Sequence, residues 1–198
     1  MSKTEHPENF NLEYEKKFLF DFLQSIIFLK GDLGRKLMLT GELTEKIATA
    51  LNCLDDDLFF AGYYADIGML MLENIVKKPE IISSCEKDII KEHVYYSSDF
   101  LSKRGLKESA HIVELHHEKP NGQGYFSIQN KSKQAVIVNI ADEFVGLSTS
   151  ASYRPRKTKA RAIDIVMKGF ENHRIFSSEE RDAIKHVLNA FYSKIPSK

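Results

Sequence analysis

From Leu58 to Leu72 the chain is almost wholly apolar, LFFAGYYADIGMLML, and a single carboxylate, Asp66, stands in its middle. A helix that is apolar all round must be covered on every side, so this run predicts the central element of a helical domain. Asp55, Asp56 and Asp57 precede it and supply N-cap oxygens and negative charge at the positive end of the helix dipole. Inside such a helix Asp66 needs a metal, a cation or backbone donors, because an unpaired buried carboxylate costs several kcal/mol or is driven neutral. The alternative is that Asp66 lies on the one wet face of the helix.

The segments on either side have helical spacing. Phe18, Leu19, Phe22, Leu23, Ile26 and Ile27 mark a helix over about Leu12–Lys30 that stops at Gly31, and Leu39, Leu43, Ile47 and Leu51 mark a second, Leu37–Leu51, that stops at Asn52. Beyond Pro79, Ser83 or Ser84 opens a helix to about Lys103 that contains His93. Lys107–Leu115 is a short helix after Gly105. Lys133–Leu147, with Val136, Ile137, Ile140, Phe144 and Leu147 on one side, again carries a carboxylate among small residues, Asp142. Ala160–Phe170 and Ser177–Tyr192 complete the chain, the latter opening on a capping-box pattern, Ser177 to Glu180. There is no β-alternation, repeat or linker. The expected fold class is all-α, with an N-terminal helical extension at 1–36 and one globular unit at 37–198.

Function points to His116-His117-Glu118-Lys119-Pro120-Asn121-Gly122-Gln123-Gly124-Tyr125-Phe126. Neighbouring residues of a regular helix point about 100° apart, so two adjacent imidazoles can share a target only where the helix gives way, as Pro120 and Gly122 require here. A surface loop with two incidental histidines is the alternative. Arg154, Arg156, Lys157, Lys159 and Arg161 form a later basic run, either a solvated face or a local anion clamp. Asp66, His93, His116, His117 and Asp142 together offer imidazole and carboxylate ligands that suit Fe, Mn, Zn or Ni better than Ca or Mg.

Lys+Arg 28 against Asp+Glu 28 leaves a formal net charge of +0, without the basic field that drives nucleic-acid binding. The most apolar early run, Phe18–Leu29, carries Asp21 and Gln24 and is too short to span a bilayer. The two cysteines, Cys53 and Cys85, form no CxxC pattern and fit a reducing compartment. A cytoplasmic protein with neither nucleic-acid nor membrane partner is expected.

The His116–Tyr125 stretch resembles the HHE-x-x-D-G-x-GYP signature of the HD-GYP family of HD-domain phosphohydrolases, which cleave cyclic di-GMP, with Asn121 in place of Asp and Phe126 in place of Pro. Ile140–Thr149 followed by Tyr153-Arg154 resembles a later segment of that family, and the likeness extends over about Leu39–Gly169. It implies an HD-domain-like helical bundle, metal ligands at Asp66, His93, His116, His117 and Asp142, catalytic aspartates at Asp66 and Asp142 if the protein is active, and substrate contacts from Tyr125 and Arg154. The departures bear on activity. Ala65 stands where the family's His-Asp pair has histidine, Met69 where it has a phosphate-contacting lysine, Ala151 where it has an arginine, and Leu39 aligns with the first ligand histidine. One of the family's two ion pockets is thereby depleted and the other keeps its ligands. The resemblance therefore implies a catalytically impaired cyclic di-GMP module holding one transition metal, Fe or Mn foremost and Zn or Ni as alternatives. It would act as a nucleotide receptor or bind a signalling protein. The alternatives are an active metal-dependent phosphodiesterase, with Glu118 helping to hold a second ion, and a metal-free interaction domain.

Overall fold

Asn11 accepts a hydrogen bond from the Tyr14 amide and starts α1 (Leu12–Ala50). It is the first element of a computed structural model that describes residues 11–76, 78, 82–149, 155–170 and 174–196. The two helices expected on either side of Gly31 are present and meet at a kink inside α1, the second beginning directly after the glycine rather than at Leu37. Helical geometry fails only at Lys30 and Gly31, where Gly31 has φ +23°, and then resumes directly. Glycine takes this positive φ without a Cβ penalty, so the chain turns sharply without leaving the helix for a loop. Leu19, Leu23 and Ile26 before the kink and Leu37, Leu43 and Ile47 after it are buried in the same core.

Asp55 caps α2 (Asp56–Tyr64) through the Leu58 amide at 2.8 Å, as the acidic triplet predicts. α1 and α2 approach closely across small residues: a Cβ at Gly41 would fall 2.2 Å from the Tyr63 ring, and one at Gly62 would fall 2.7 Å from Thr44. The expected central helix over Leu58–Leu72 is corrected here. α2 ends at Tyr64, and a 3-10 turn, Ile67–Leu72, follows with Asp66 at the junction. Gly68 explains the break. Its amide donates to Ser97 Oγ at 2.9 Å, and a Cβ on it would lie 2.2 Å from the His93 carbonyl oxygen, so the turn is pressed against the next helical layer.

α3 (Glu73–Val76) and α4 (Ser84–Lys91) lead to α5 (His93–Lys103), and Glu92 interrupts what the sequence predicts as one helix. α6 (Lys107–Glu114), α7 (Lys133–Ser148), α8 (Lys159–Lys168) and α9 (Ser178–Phe191) follow, the last behind a complete Ser177–Glu180 capping box. α7 is buried without interruption from Ala135 to Asp142 and packs against α1, α2, α6 and α8, so the centre of the bundle is shared between α2 and α7. The described residues contain helices and no strand, in agreement with the all-α expectation. None of the described helices is long and apolar enough to cross a membrane.

The described part of the proposed 1–36 extension, from Leu12 onward, is expected to fold with the rest, since Leu19, Leu23 and Ile26 are buried in the common core. Leu23→Ala removes a fully buried side chain and should lower unfolding stability by about 2–5 kcal/mol in urea titration. An unchanged midpoint would mean that the helix before the Gly31 kink is merely appended to the core.

Candidate metal centre

Three local helix endings bring the site together. Asp66 stands where α2 stops, His93 is the first residue of α5, and His116 and His117 follow the last turn of α6. Each of Asp66, His93, His116 and His117 offers a ligand atom, and these atoms all lie within 4.8 Å of one another. The two adjacent rings do converge, with centroids 3.9 Å apart, because Leu115 ends the helix before them. His93 lies 5.6 Å from His116 and 5.1 Å from His117 by the same measure.

The backbone sets the tautomers. His93 Nδ1 is 2.7 Å from the Ile90 carbonyl and His116 Nδ1 is 2.6 Å from the Val113 carbonyl, so in the neutral form of each ring Nδ1–H donates and Nε2 keeps its lone pair; burial opposes a proton on His93, and the neighbouring Asp66 with the Ile90 carbonyl nevertheless pushes its pKa up. Those Nε2 atoms face Asp66 Oδ1 at 3.1 Å and 3.9 Å. Among the described residues none of the three buried atoms completes a hydrogen bond. Lone pairs of three acceptors aimed at one another call for a cation between them, and the donor set matches that of a transition ion. Burial and the neighbouring His116 hold His117 well below the usual histidine range, which keeps its ring neutral and able to ligate. The residues present fit a metal.

The other face of Asp66 meets a lysine. Lys36, one turn past the α1 kink, pairs with Asp66 Oδ2 and lies 2.9 Å from Asp142 Oδ1. Burial opposes ionisation of Asp66, but the Lys36 ammonium together with the His116 and His93 imidazoles outweighs it and holds the carboxyl well below the usual range. Burial and then the charge of Asp66 push Asp142 up against the pull of Lys36. Burial would lower the pKa of Lys36, yet the two carboxylates raise it. Asp142 therefore stands apart from the histidine cluster, joined to it through Lys36.

Sequence reasoning did not find Lys36. It lies three residues before Leu39 on the same helix, so helical spacing places both on neighbouring ground, but a helical lysine ordinarily faces solvent. Leu39 itself packs, half-buried, against the core. Ala65 is buried and offers no ligand atom, and Met69 is half-buried.

Glu118 serves the loop. Its fully buried carboxylate accepts the amides of Phe126 at 2.7 Å and Ile128 at 2.9 Å, so it is engaged away from any second ion. A Cβ at Gly124 would lie 2.4 Å from Glu118 Oε2, which accounts for the glycine. Asn130 holds the Leu115 and Glu118 carbonyls, and Asn139 Nδ2 donates to the His116 carbonyl at 2.5 Å. The stapled loop lays Tyr125 on His117, centroid to centroid 4.3 Å and 29° from parallel, with Lys91 Nζ 6.0 Å from the Tyr125 ring.

Tyr153, Arg154 and Ala151 lie outside the described residues. Of the basic run, Arg156 Nε donates to the Tyr192 hydroxyl at 3.2 Å and Arg161 pairs with Asp164 at 2.7 Å. A surface depression of about 740 Å³, lined by Glu42, Lys46, His186 and Phe191 among others, lies between α1 and α9 rather than at the histidines. Converging ligand atoms make the cluster the better candidate.

Residues 21–175 match the HD domain family. The structure is similar to the crystal structure of the L. monocytogenes phosphodiesterase PgpH HD domain, with a TM-score of 0.67 and 16% identity over 87% of this chain and 97% of that one. At that identity the likeness is one of fold. No curated protein matches the sequence.

Glu118→Ala should release the loop. Two amides lose a charged acceptor, costing about 2–4 kcal/mol, and hydrogen exchange at Phe126 and Ile128 should accelerate ahead of the α7 amides. Equal protection in both proteins would show that other contacts hold the loop.

Proposed function

The chain belongs to the HD-domain family, and on that premise we propose that it is an HD-GYP-type cyclic di-GMP module that binds one transition metal and is impaired in hydrolysis. The observation that carries this reading is the meeting of Asp66 Oδ1, His93 Nε2 and His116 Nε2, buried and without hydrogen-bond partners among the described residues. Asp66, His93, His116 and His117 would hold the ion, Fe or Mn in preference to Zn or Ni. When bound, a metal of this kind supplies Lewis-acid charge to a phosphoryl oxygen. The rest falls to the chain. His93 and His116 present fixed lone pairs, Tyr125 offers a ring face and a hydroxyl beside His117, and Arg154 would contribute a charge-assisted contact to phosphate.

Impairment follows from what the other half of the site lacks. Ala65 and Leu39 carry no imidazole, and Asp142 faces an ammonium. Hydrolysis that depends on paired electrophiles loses roughly 10²–10³-fold when one such group is removed. The module would then serve as a nucleotide receptor or as a binding domain for a signalling protein. A specific observation favours a second reading, a metal-free interaction domain: Lys36 neutralises the Asp66–Asp142 side with no ion at all.

Elemental analysis of protein purified anaerobically with Fe or Mn, with cyclic di-GMP turnover followed in the same sample, separates these readings. About one equivalent of metal is expected, lost in His116→Ala, together with turnover that is absent or slower by orders of magnitude than in an intact family member. Calorimetry should give a roughly micromolar or weaker affinity for cyclic di-GMP that declines with salt and in Tyr125→Ala and Arg154→Ala. Rapid turnover would refute the impairment. Absence of metal with unchanged stability in chelator would leave the interaction domain standing.

A further inference from the structure

Asp66 has two oxygens and two kinds of neighbour. Oδ1 faces the lone pairs of His93 and His116, whereas Oδ2 faces the ammonium of Lys36, which also reaches Asp142 Oδ1 at 2.9 Å. Two buried carboxylates that share one partner repel each other unless a cation lies between them. In other respects, a pair of aspartates bracketing a point beside a histidine cluster is suited to a divalent ion. Here a side chain of α1 is at that point. It arrives from the segment just past the Gly31 kink and retains 31% side-chain exposure along its stem, while both carboxylates are almost entirely enclosed.

We propose that the Lys36 ammonium is a resident cation, holding the position between Asp66 and Asp142 that a second divalent ion would otherwise take and closing it to metal. The centre is then a metal–ammonium pair bridged by Asp66, with one exchangeable partner and one built into the chain. Lysine suits this position. Its charge is a compact point with three donors, enough to engage both aspartates, and the tether makes it independent of metal supply. The inference rests on the one-metal reading above for the histidine side only; the charge balance between Lys36 and the aspartates stands without it.

The test uses the whole protein as wild type, Lys36→Met, Asp142→Asn and Lys36→Met/Asp142→Asn. Methionine keeps the length of the side chain and removes its charge. In metal-free protein, Lys36→Met should lower Tm by roughly 6–20 °C, and adding Asp142→Asn should recover part of that loss because one carboxylate instead of two is left without the ammonium. Titration with Mn²⁺, followed by elemental analysis after desalting, should give one equivalent in wild type at every concentration. Lys36→Met should approach two equivalents at millimolar Mn²⁺ and regain stability with it, and the double variant should return to one. Two equivalents in wild type, no second uptake by Lys36→Met, or a Lys36→Met protein as stable as wild type would each overturn the proposal. Wild type that binds no Mn²⁺ would overturn the metal reading, and the metal-free Tm comparison would still decide the role of Lys36.

Discussion

The Asp66 carboxylate is the constraint on which the rest of the site depends. It is 2% exposed, so both of its oxygens must find partners within the protein. One oxygen looks toward the Nε2 atoms of two imidazoles whose Nδ1 atoms are turned to backbone carbonyls, the other toward an ammonium. A buried charge is tolerable only when paired, and removing either partner leaves a deficit larger than that of an ordinary surface ion pair. Desolvation opposes ionisation of Asp66, and Lys36 at contact distance, joined by His116 and His93, holds its carboxyl below the usual range.

The fold reaches this arrangement by stopping helices. A continuous helix from Asp55 to Leu72 would turn Asp66 with its neighbours and could not bring Gly68 against the His93 carbonyl. The break at Tyr64 and the tighter turn after it permit that contact, and the same approach carries Asp66 to His93. At the far side, α6 ends at Glu114 so that His116 and His117 share a target, and Asn139 from α7 holds the His116 carbonyl in place. α7 supplies both this support and Asp142, so its burial from Ala135 onward positions the site as well as filling the core.

The loop after the histidines is organised for the same end. Glu118 is the charged residue of the His-His-Glu triplet, and its role is to collect two amides of the segment that carries Tyr125. The aromatic ring then lies flat on His117. A carboxylate adjacent in sequence to two ligand-like histidines is thus structural here, because its direction is set by the turn at Asn121 and Gly122 and not by its proximity along the chain.

The sequence alone determined the helical class and singled out Asp66, His116 and His117 as candidates, since periodicity, apolar runs and a Pro/Gly break are local properties, but the burial of Asp66 and the convergence of the two histidines were decided by the tertiary structure. The Asp55 cap and the Ser177–Glu180 box were legible for the same reason. It mistook the continuity of two segments: the one broken at Asp66 and the one interrupted at Glu92. Propensity does not register a neighbour pressing on Gly68 from another helix. Only the tertiary structure decided that Lys36, thirty residues from Asp66 along the chain, is the cation between two aspartates. A lysine on an amphipathic helix reads as solvated until the packing of α1 against α2 and α7 shows what it faces, because pairing of buried charges is a property of position in space and carries no periodic signal.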